Sequence, residues 1–337
     1  MKRIIFNLGV VILGLSLIRE GYAFWLSGPE SIYIGERPSP PRSPGAPKTT
    51  DPTFILVADS FVDDKNEPTR VTGAEFSHGE GVVTKMVQKF QEILQGNPKI
   101  PPTILQLATF EGKTLALYDA NGPITDPNQI PQGARRIIVL LADIPGEEQV
   151  KGRWVFSGDA VYKTLVNALE QLKQMGAAVV VNLSMSAEDP APVLEELIKT
   201  YKGVLFVASA EGYPGKYAKD LSNVLGVGNT GSSADLKNNT IYAEGYVEIP
   251  GRGSARGSSF STSQATILGA LVWQMNPNIN SSDLRNILVT PAFQTNADPP
   301  GELNPQGSLE MVENYTPIPV WGSSPIFPEQ SYFGFLW

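Results

Sequence analysis

The chain has 337 residues, a formal net charge of −8, one histidine and no cysteine. This length is enough to bury a full core, and the acidic balance argues against a nucleic-acid partner. The lack of cysteine excludes disulfides, a cysteine nucleophile and thiolate metal sites, and a single histidine excludes metal motifs that need two. Chemistry that needs a general base near neutral pH must therefore use His78 or a carboxylate.

Residues 1–23 have the pattern of an export signal. Lys2 and Arg3 precede an apolar run over 4–18, and the small-residue pattern Gly21-Tyr22-Ala23 is typical of a signal-peptidase site. A retained membrane anchor is the alternative, although the run is short for a bilayer span. We expect cleavage, an exported chain that is secreted or periplasmic, and no stable membrane span afterwards.

Residues 24–52 are rich in proline, which predicts an extended arm rather than a folded unit. Order is expected to begin with the continuous apolar run Phe54–Ala58, which is typical of a strand buried on both faces of a parallel sheet. Asp59 follows directly, so its side chain is expected at the carboxyl end of that strand.

Strands and amphipathic helices alternate through the rest of the chain. The expected strands cover 103–108, 136–141, 178–184, 204–208 and 223–228, and the expected helices 78–94, 161–172, 193–198 and 258–275. This alternation predicts an α/β fold with a mostly parallel central sheet between two helical layers. Residues 111–134 are expected to form an inserted hairpin or surface loop, and 291–337 a tail that wraps the domain.

His78 and Ser259 are each expected at the start of a helix, and Asp59 at the end of a strand. Ligand sites of open α/β sheets lie at the carboxyl ends of the strands, where all three should meet. Each residue also has an ordinary structural interpretation, because serine caps helices, aspartate caps loops and histidine occupies helix ends. Their order along the chain, Asp, His and then Ser, is the order of the subtilisin triad.

The sequence around each of the three strengthens this interpretation. Val57-Ala58-Asp59-Ser60 resembles the aspartate segment of the subtilisin-like serine peptidases, and Ser77–Val83 resembles their His-Gly helix start. Gly257-Ser258-Ser259-Phe260-Ser261-Thr262 is similar to their Gly-Thr-Ser-Met-Ala-Thr nucleophile box.

Further segments extend the resemblance over about residues 53–312, which we expect to form one peptidase domain followed by a C-terminal tail over 313–337. These segments are Val181–Ser186, Tyr213–Tyr217, Asn223–Gly228 and Asn276–Arg285. The resemblance implies a three-layer α/β/α subtilisin-like fold.

The resemblance also implies roles for the three residues. Ser259 would attack a peptide carbonyl, His78 would accept the serine proton, and Asp59 would fix the imidazole tautomer. Val181–Ser186 resembles the edge strand that pairs with bound peptide, so Ser184, Met185 and Ser186 are expected to contact substrate. A solvated loop serine is an equal alternative for Ser184.

One family feature is missing. Subtilisin-like peptidases carry Ala-Gly-Asn after the strand, where the asparagine amide donates to the oxyanion, but this chain has Ala208-Ser209-Ala210-Glu211. Glu211 occupies that position in the simplest alignment, and a deletion that leaves it empty is the alternative. A catalytic site would then need either a Glu211 held protonated by burial or a donor from elsewhere.

We therefore expect an exported serine endopeptidase that forms an acyl-enzyme. The alternative is a pseudoprotease that keeps the fold and binds peptides or proteins without cleaving them, and a different serine hydrolase is a third hypothesis. The expected partner is a polypeptide, and the chain is expected to be monomeric. No cofactor is expected, and the acidic loop with Asp63, Asp64 and Glu67 lacks the ordered spacing of a calcium site.

Overall fold

A computed structural model describes most of the chain between residues 52 and 315. The described residues are 52–61, 71, 74–110, 112–144, 147–150, 153–173, 178–186, 192–230, 240–294 and 301–315. The expected export signal, the proline-rich arm up to residue 51 and the acidic loop with Asp63, Asp64 and Glu67 lie outside this part. Most of the expected C-terminal tail, residues 316–337, lies outside it as well.

A nine-stranded sheet forms the centre of the molecule. Its strands in chain order are β1 (Thr53–Asp59), β2 (Thr103–Ala108), β3 (Thr114–Asp119), β4 (Gly122–Pro123), β5 (Arg135–Asp143), β8 (Ala178–Leu183), β9 (Leu205–Ser209), β10 (Val224–Asn229) and β11 (Thr240–Ala243). They lie side by side in the order β11-β10-β9-β8-β1-β5-β2-β3-β4. Every neighbouring pair from β11 to β2 is parallel, and β3 and β4 add an antiparallel edge.

Six α-helices, two hairpins and two 3-10 helices, Pro127–Gln129 and Gly215–Lys219, complete the described elements. The helices are α1 (His78–Gly96), α2 (Gly158–Lys173), α3 (Pro192–Thr200), α4 (Ser258–Met275), α5 (Ser281–Gln294) and α6 (Pro305–Glu313). The hairpins pair β6 (Glu147–Val150) with β7 (Arg153–Phe156), and β12 (Tyr246–Ile249) with β13 (Gly253–Arg256).

The alternation of side chains along β1 separates two cores. Ile55 and Val57 pack on the face covered by α1, α4, α5 and α6, while Phe54, Leu56 and Ala58 pack on the face covered by α2 and α3. Successive strand residues point to opposite faces, so an all-apolar strand must be covered on both sides. The prediction of three α/β/α layers around a mostly parallel sheet is confirmed.

Two details of the predicted fold were wrong. The segment interpreted as an edge strand is β8, which lies inside the sheet because its backbone pairs with β1 on one side and with β9 on the other. The chain after residue 291 does not simply wrap the domain: α5 continues to Gln294, and α6 buries Leu309 and Val312 in the core. The insertion over 111–134 does contain a hairpin, β3–β4.

Among the described helices, none is long and apolar enough to cross a membrane.

Candidate active site

Asp59 is the last residue of β1 and is completely buried. Its Oδ1 accepts a hydrogen bond from the Ser60 backbone N–H at 2.7 Å and lies 2.6 Å from Nδ1 of His78. Its Oδ2 is buried and has no hydrogen-bond partner among the described residues. A carboxylate held this deeply interacts strongly with any positive charge that forms on the neighbouring ring.

His78 is the first residue of α1, and the sequence around it specifies a helix start. Ser77 caps the helix: the Glu80 N–H donates to Ser77 Oγ at 3.1 Å, and the Ser77 N–H donates to Glu80 Oε2 at 2.8 Å. This reciprocal capping box satisfies two backbone donors that the first turn would otherwise leave free. The Gly79 N–H also donates to the Ser60 carbonyl at 2.9 Å, which joins the start of α1 to the end of β1.

Arg252, in the turn between β12 and β13, fixes the same helix start from outside. Its Nη2 lies 2.9 Å from Glu80 Oε2, and its Nε donates to the Glu75 carbonyl at 2.7 Å. Glu80 is nearly buried, so the guanidinium balances a carboxylate that would otherwise lose hydration without compensation. Local sequence gave no signal for this contact, because 172 positions separate the two residues.

The contact with Asp59 determines the tautomer of His78. A carboxylate only accepts hydrogen bonds, so Nδ1 carries the proton and Nε2 of the neutral ring is left as a proton acceptor. The His78 side chain is 19% exposed, which leaves part of the ring open to the surface. The arrangement therefore provides an oriented base with a buried anion behind it.

Ser259 lies at the start of α4, as its second residue, and is partly exposed. Its carbonyl accepts hydrogen bonds from Ser184 Oγ at 2.8 Å and from Ser263 Oγ at 3.1 Å. The next residue, Phe260, brings this helix start to His78, because the two rings lie 5.8 Å apart between centroids. The structure thus places Asp59 and His78 in direct contact and joins the start of α4 to His78 through Phe260.

Two buried hydroxyl groups pair at the start of α4, and the sequence alone predicted no role for them. Ser209 ends β9, Ser258 begins α4, and their Oγ atoms are 2.6 Å apart, with each residue at most 5% exposed. The sequence feature that could have identified Ser209 is a polar residue at the end of an apolar strand. A hydroxyl pair of this kind contains two protons and uses one of them in its mutual hydrogen bond.

Glu211 follows β9 in the loop before a short 3-10 helix, Gly215–Lys219. It is exposed, so of the two alternatives for this position a buried Glu211 is not found. The loop packs tightly against Ser186, because a Cβ added at Gly212 would clash with Ser186 Oγ.

The three residues expected to contact substrate are mostly enclosed by the protein. Ser184 is fully buried and Met185 is 4% exposed, and the Ser184 hydroxyl binds the Ser259 carbonyl. Ser186 is partly exposed, and its carbonyl accepts from the Phe156 N–H at 3.1 Å. The side chain of Ser184 therefore supports the start of α4, which corrects its interpretation as either a substrate contact or a solvated loop residue.

Within the described residues, no three histidine or carboxylate side chains group closely enough to hold a metal ion.

No known protein family has a sequence profile that matches this chain, and no curated protein matches it by sequence. Among solved structures, it is similar to the prenylagaramide maturation protease PagA, with 17% identity and a TM-score of 0.45 over 78% of this chain and 95% of PagA. It is also similar to the A subunit of the AB5 toxin from E. coli, with 14% identity and a TM-score of 0.47 over 78% of this chain and 93% of that subunit. A structure of the subtilase cytotoxin SubAB gives 15% identity and a TM-score of 0.45, over 78% of this chain and 90% of that one. The function therefore has to be argued from the residues of the site.

Proposed function

We propose that the chain is an exported, subtilisin-like serine endopeptidase, with Ser259 as nucleophile, His78 as general base and Asp59 as the group that orients His78. The observation that carries the proposal is the 2.6 Å contact between Asp59 Oδ1 and His78 Nδ1. It holds a proton on Nδ1 of the only histidine in the sequence, so that Nε2 is the basic nitrogen of the neutral ring, beside a helix whose second residue is the partly exposed Ser259.

The reaction follows from these positions. Ser259 Oγ attacks the peptide carbonyl carbon while its proton passes to Nε2 of His78, so that a C–O bond forms and the carbonyl oxygen becomes an oxyanion. Asp59 stabilises the resulting imidazolium. The C–N bond then breaks as His78 returns the proton to the leaving amine. Water next attacks the acyl carbon while His78 accepts its proton, and the ester C–O bond breaks as His78 returns that proton to Ser259 Oγ.

Because the chain lacks the asparagine amide, other hydrogen-bond donors must stabilise the oxyanion. The backbone N–H of Ser259 belongs to the first turn of α4, whose N–H groups have no partner within the helix. The Ser209–Ser258 pair adds a hydroxyl proton beyond the one in its mutual bond. We assign this proton to the oxyanion as the replacement for the missing asparagine amide.

A second function is favoured by Glu211. An exposed carboxylate at the position of the asparagine donor would repel a developing oxyanion, which suits a pseudoprotease that binds polypeptides without cleaving them. The two functions differ in one property, because only the peptidase forms a covalent acyl intermediate on Ser259.

Hydrolysis of a denatured protein substrate by the mature chain tests the proposal. The wild type should release new amino termini, and Ser259→Ala should release none while still binding the peptide. Peptide binding by both forms with cleavage by neither would overturn the peptidase and support the pseudoprotease.

A further inference from the structure

The helix start that carries Ser259 has no side-chain cap. Gly257 occupies the N-cap position of α4, and a glycine has no side chain to accept a hydrogen bond. A capping side chain binds the second or third N–H of a helix, and the second here is that of Ser259. The proposed mechanism needs this N–H for the oxyanion. The start of α4 therefore has to be held by contacts that leave it available.

One short segment of chain, which runs from the end of β11 toward β12, provides such contacts through its backbone carbonyls. This clamp segment consists of residues Ala243, Glu244 and Gly245. Its three carbonyls accept hydrogen bonds, in chain order, from the Ser261 hydroxyl at 2.7 Å, from Gln264 Nε2, and from the Gly257 N–H at 2.8 Å. None of these three donors is the Ser259 N–H, so the clamp segment and an oxyanion do not compete for it.

The clamp segment is itself fixed by the end of β10. Asn229, the last residue of that strand, accepts the Gly245 N–H through Oδ1 at 2.9 Å. The Thr230 N–H donates to the Ala243 carbonyl at 3.0 Å. The packing is tight, because a Cβ added at Gly245 would clash with the Gly257 carbonyl and with the Asn229 side chain. The clamp segment therefore joins the start of α4 to the central sheet.

Gln264 provides the contact of this set that the protein can replace least. Its side chain is 4% exposed, so water has little access to substitute for the amide donor. The Ser261 hydroxyl is also buried, but the Ala243 carbonyl keeps the Thr230 N–H when that hydroxyl is removed. Gln264 follows Ser259 by five positions in the same helix, between one and two turns, so its contact fixes α4 close to the nucleophile.

We propose that Gln264, through its bond to the clamp segment, is a positioning residue for Ser259. The inference rests on the proposed peptidase function and adds a residue that acts through the helix rather than on the reacting atoms. A shift of the helix start would displace Ser259 Oγ and the Ser259 N–H together. A displacement of about 1 Å can cost on the order of 10²-fold in rate.

Gln264→Met tests this role in the mature chain, because methionine keeps the length of the side chain but cannot donate a hydrogen bond. Gln274→Met is the matched control. Gln274 belongs to the same helix, is also 4% exposed, and donates through Nε2 to a backbone carbonyl, that of Arg136 at 2.6 Å. Both variants lose one buried bond of the same kind, so their urea midpoints should fall by similar amounts. We expect kcat to fall about 10- to 100-fold in Gln264→Met with little change in KM, and to stay close to the wild-type value in Gln274→Met.

Amide hydrogen exchange adds a measurement that needs no substrate. The Gly245 N–H binds Asn229 and the Gly257 N–H binds the Gly245 carbonyl, so their exchange in the free protein, followed by NMR, reports on the clamp segment. Gln264→Met should speed both exchanges about tenfold, and Gln274→Met should leave them unchanged. Equal losses of kcat in the two variants, or equal exchange rates, would overturn the proposal.

Asn229→Ala is a second variant, which decides the question if Gln264→Met does not fold. Asn229 is partly exposed, so its truncation should cost little stability, but it removes the acceptor that holds the Gly245 N–H on β10. We expect kcat to fall about three- to tenfold, and an unchanged kcat would overturn the role of the clamp segment. A wild-type chain that cleaves no peptide would refute the peptidase alone, because the exchange rates still decide whether the clamp segment fixes α4.

Discussion

Nδ1 of His78 lies 2.6 Å from Oδ1 of Asp59, although the two residues are 19 positions apart and belong to different elements. Strand β1 brings the carboxylate to the carboxyl end of the sheet, and α1 starts there because the Gly79 N–H binds the Ser60 carbonyl. The same end of the sheet receives the start of α4 with Ser259, so the contact holds the imidazole at the end of the sheet where the proposed mechanism places the attack.

Asp59→Asn should reduce kcat by a factor on the order of 10⁴ while KM changes little. An asparagine amide can donate to Nδ1, which transfers the ring proton to Nε2 and removes the acceptor that Ser259 needs. Steady-state kinetics with a peptide substrate measures the effect. Asp143→Asn is the matched control, because Asp143 ends the neighbouring strand β5 and accepts from the Phe61 N–H through Oδ1, which an asparagine oxygen can still do. Comparable losses in both variants would contradict the assigned role of Asp59.

Ser209→Ala and Ser258→Ala should each lower kcat by a factor of about 10 to 10³, because each removes one member of the hydroxyl pair proposed to serve the oxyanion. The double variant should lose little more than either single variant, since the two hydroxyls act as a unit. Thermal unfolding of the same variants checks that the loss is catalytic. Additive effects, or unchanged kcat, would show that the pair is structural.

Arg252→Gln should lower the free energy of unfolding by about 1–3 kcal/mol, because it leaves the nearly buried Glu80 carboxylate without its cation. It should also reduce kcat, since Glu80 caps the helix that begins at His78. Urea unfolding and steady-state kinetics measure the two effects. Lys89→Gln is the control: it removes a pair with Glu92 on the same helix, whose exposed carboxylate stays hydrated when the cation is lost, and it should cost less than about 0.5 kcal/mol. A loss from Lys89→Gln as large as that from Arg252→Gln would remove any special role for the Arg252 contact.

Glu211→Asn should raise kcat, because it removes a negative charge and supplies an amide in the oxyanion region. Exchange of one residue in an exposed loop should leave the melting temperature nearly unchanged. Progress curves at equal enzyme concentration measure the change. A lower kcat in Glu211→Asn would contradict this prediction and would mean that the Glu211 carboxylate contributes to catalysis.

The sequence was most informative where one short segment determines a structure. The apolar run before Asp59 predicted a buried strand, and Ser77 with Glu80 three positions later is a helix-start pattern, so two parts of the site followed from local sequence. The contact of Arg252 with Glu80 and the pairing of Ser209 with Ser258 join distant segments, and no local pattern encodes them. Helix α6 was missed because it is short and follows a segment rich in proline and glycine, and its apolar residues gain their stability from packing against the core.

Labelling of the mature chain with a fluorophosphonate probe between pH 4 and 8 is the most direct test of whether His78 activates Ser259, because the probe bonds only to a serine that an adjacent base activates. Ser254→Ala, which changes an exposed serine of β13, should label like the wild type. We expect one label on the wild-type chain, mapped to Ser259 by mass spectrometry, and none on Ser259→Ala. An unlabelled wild type across this pH range, or equal labelling of Ser259→Ala, would contradict this expectation.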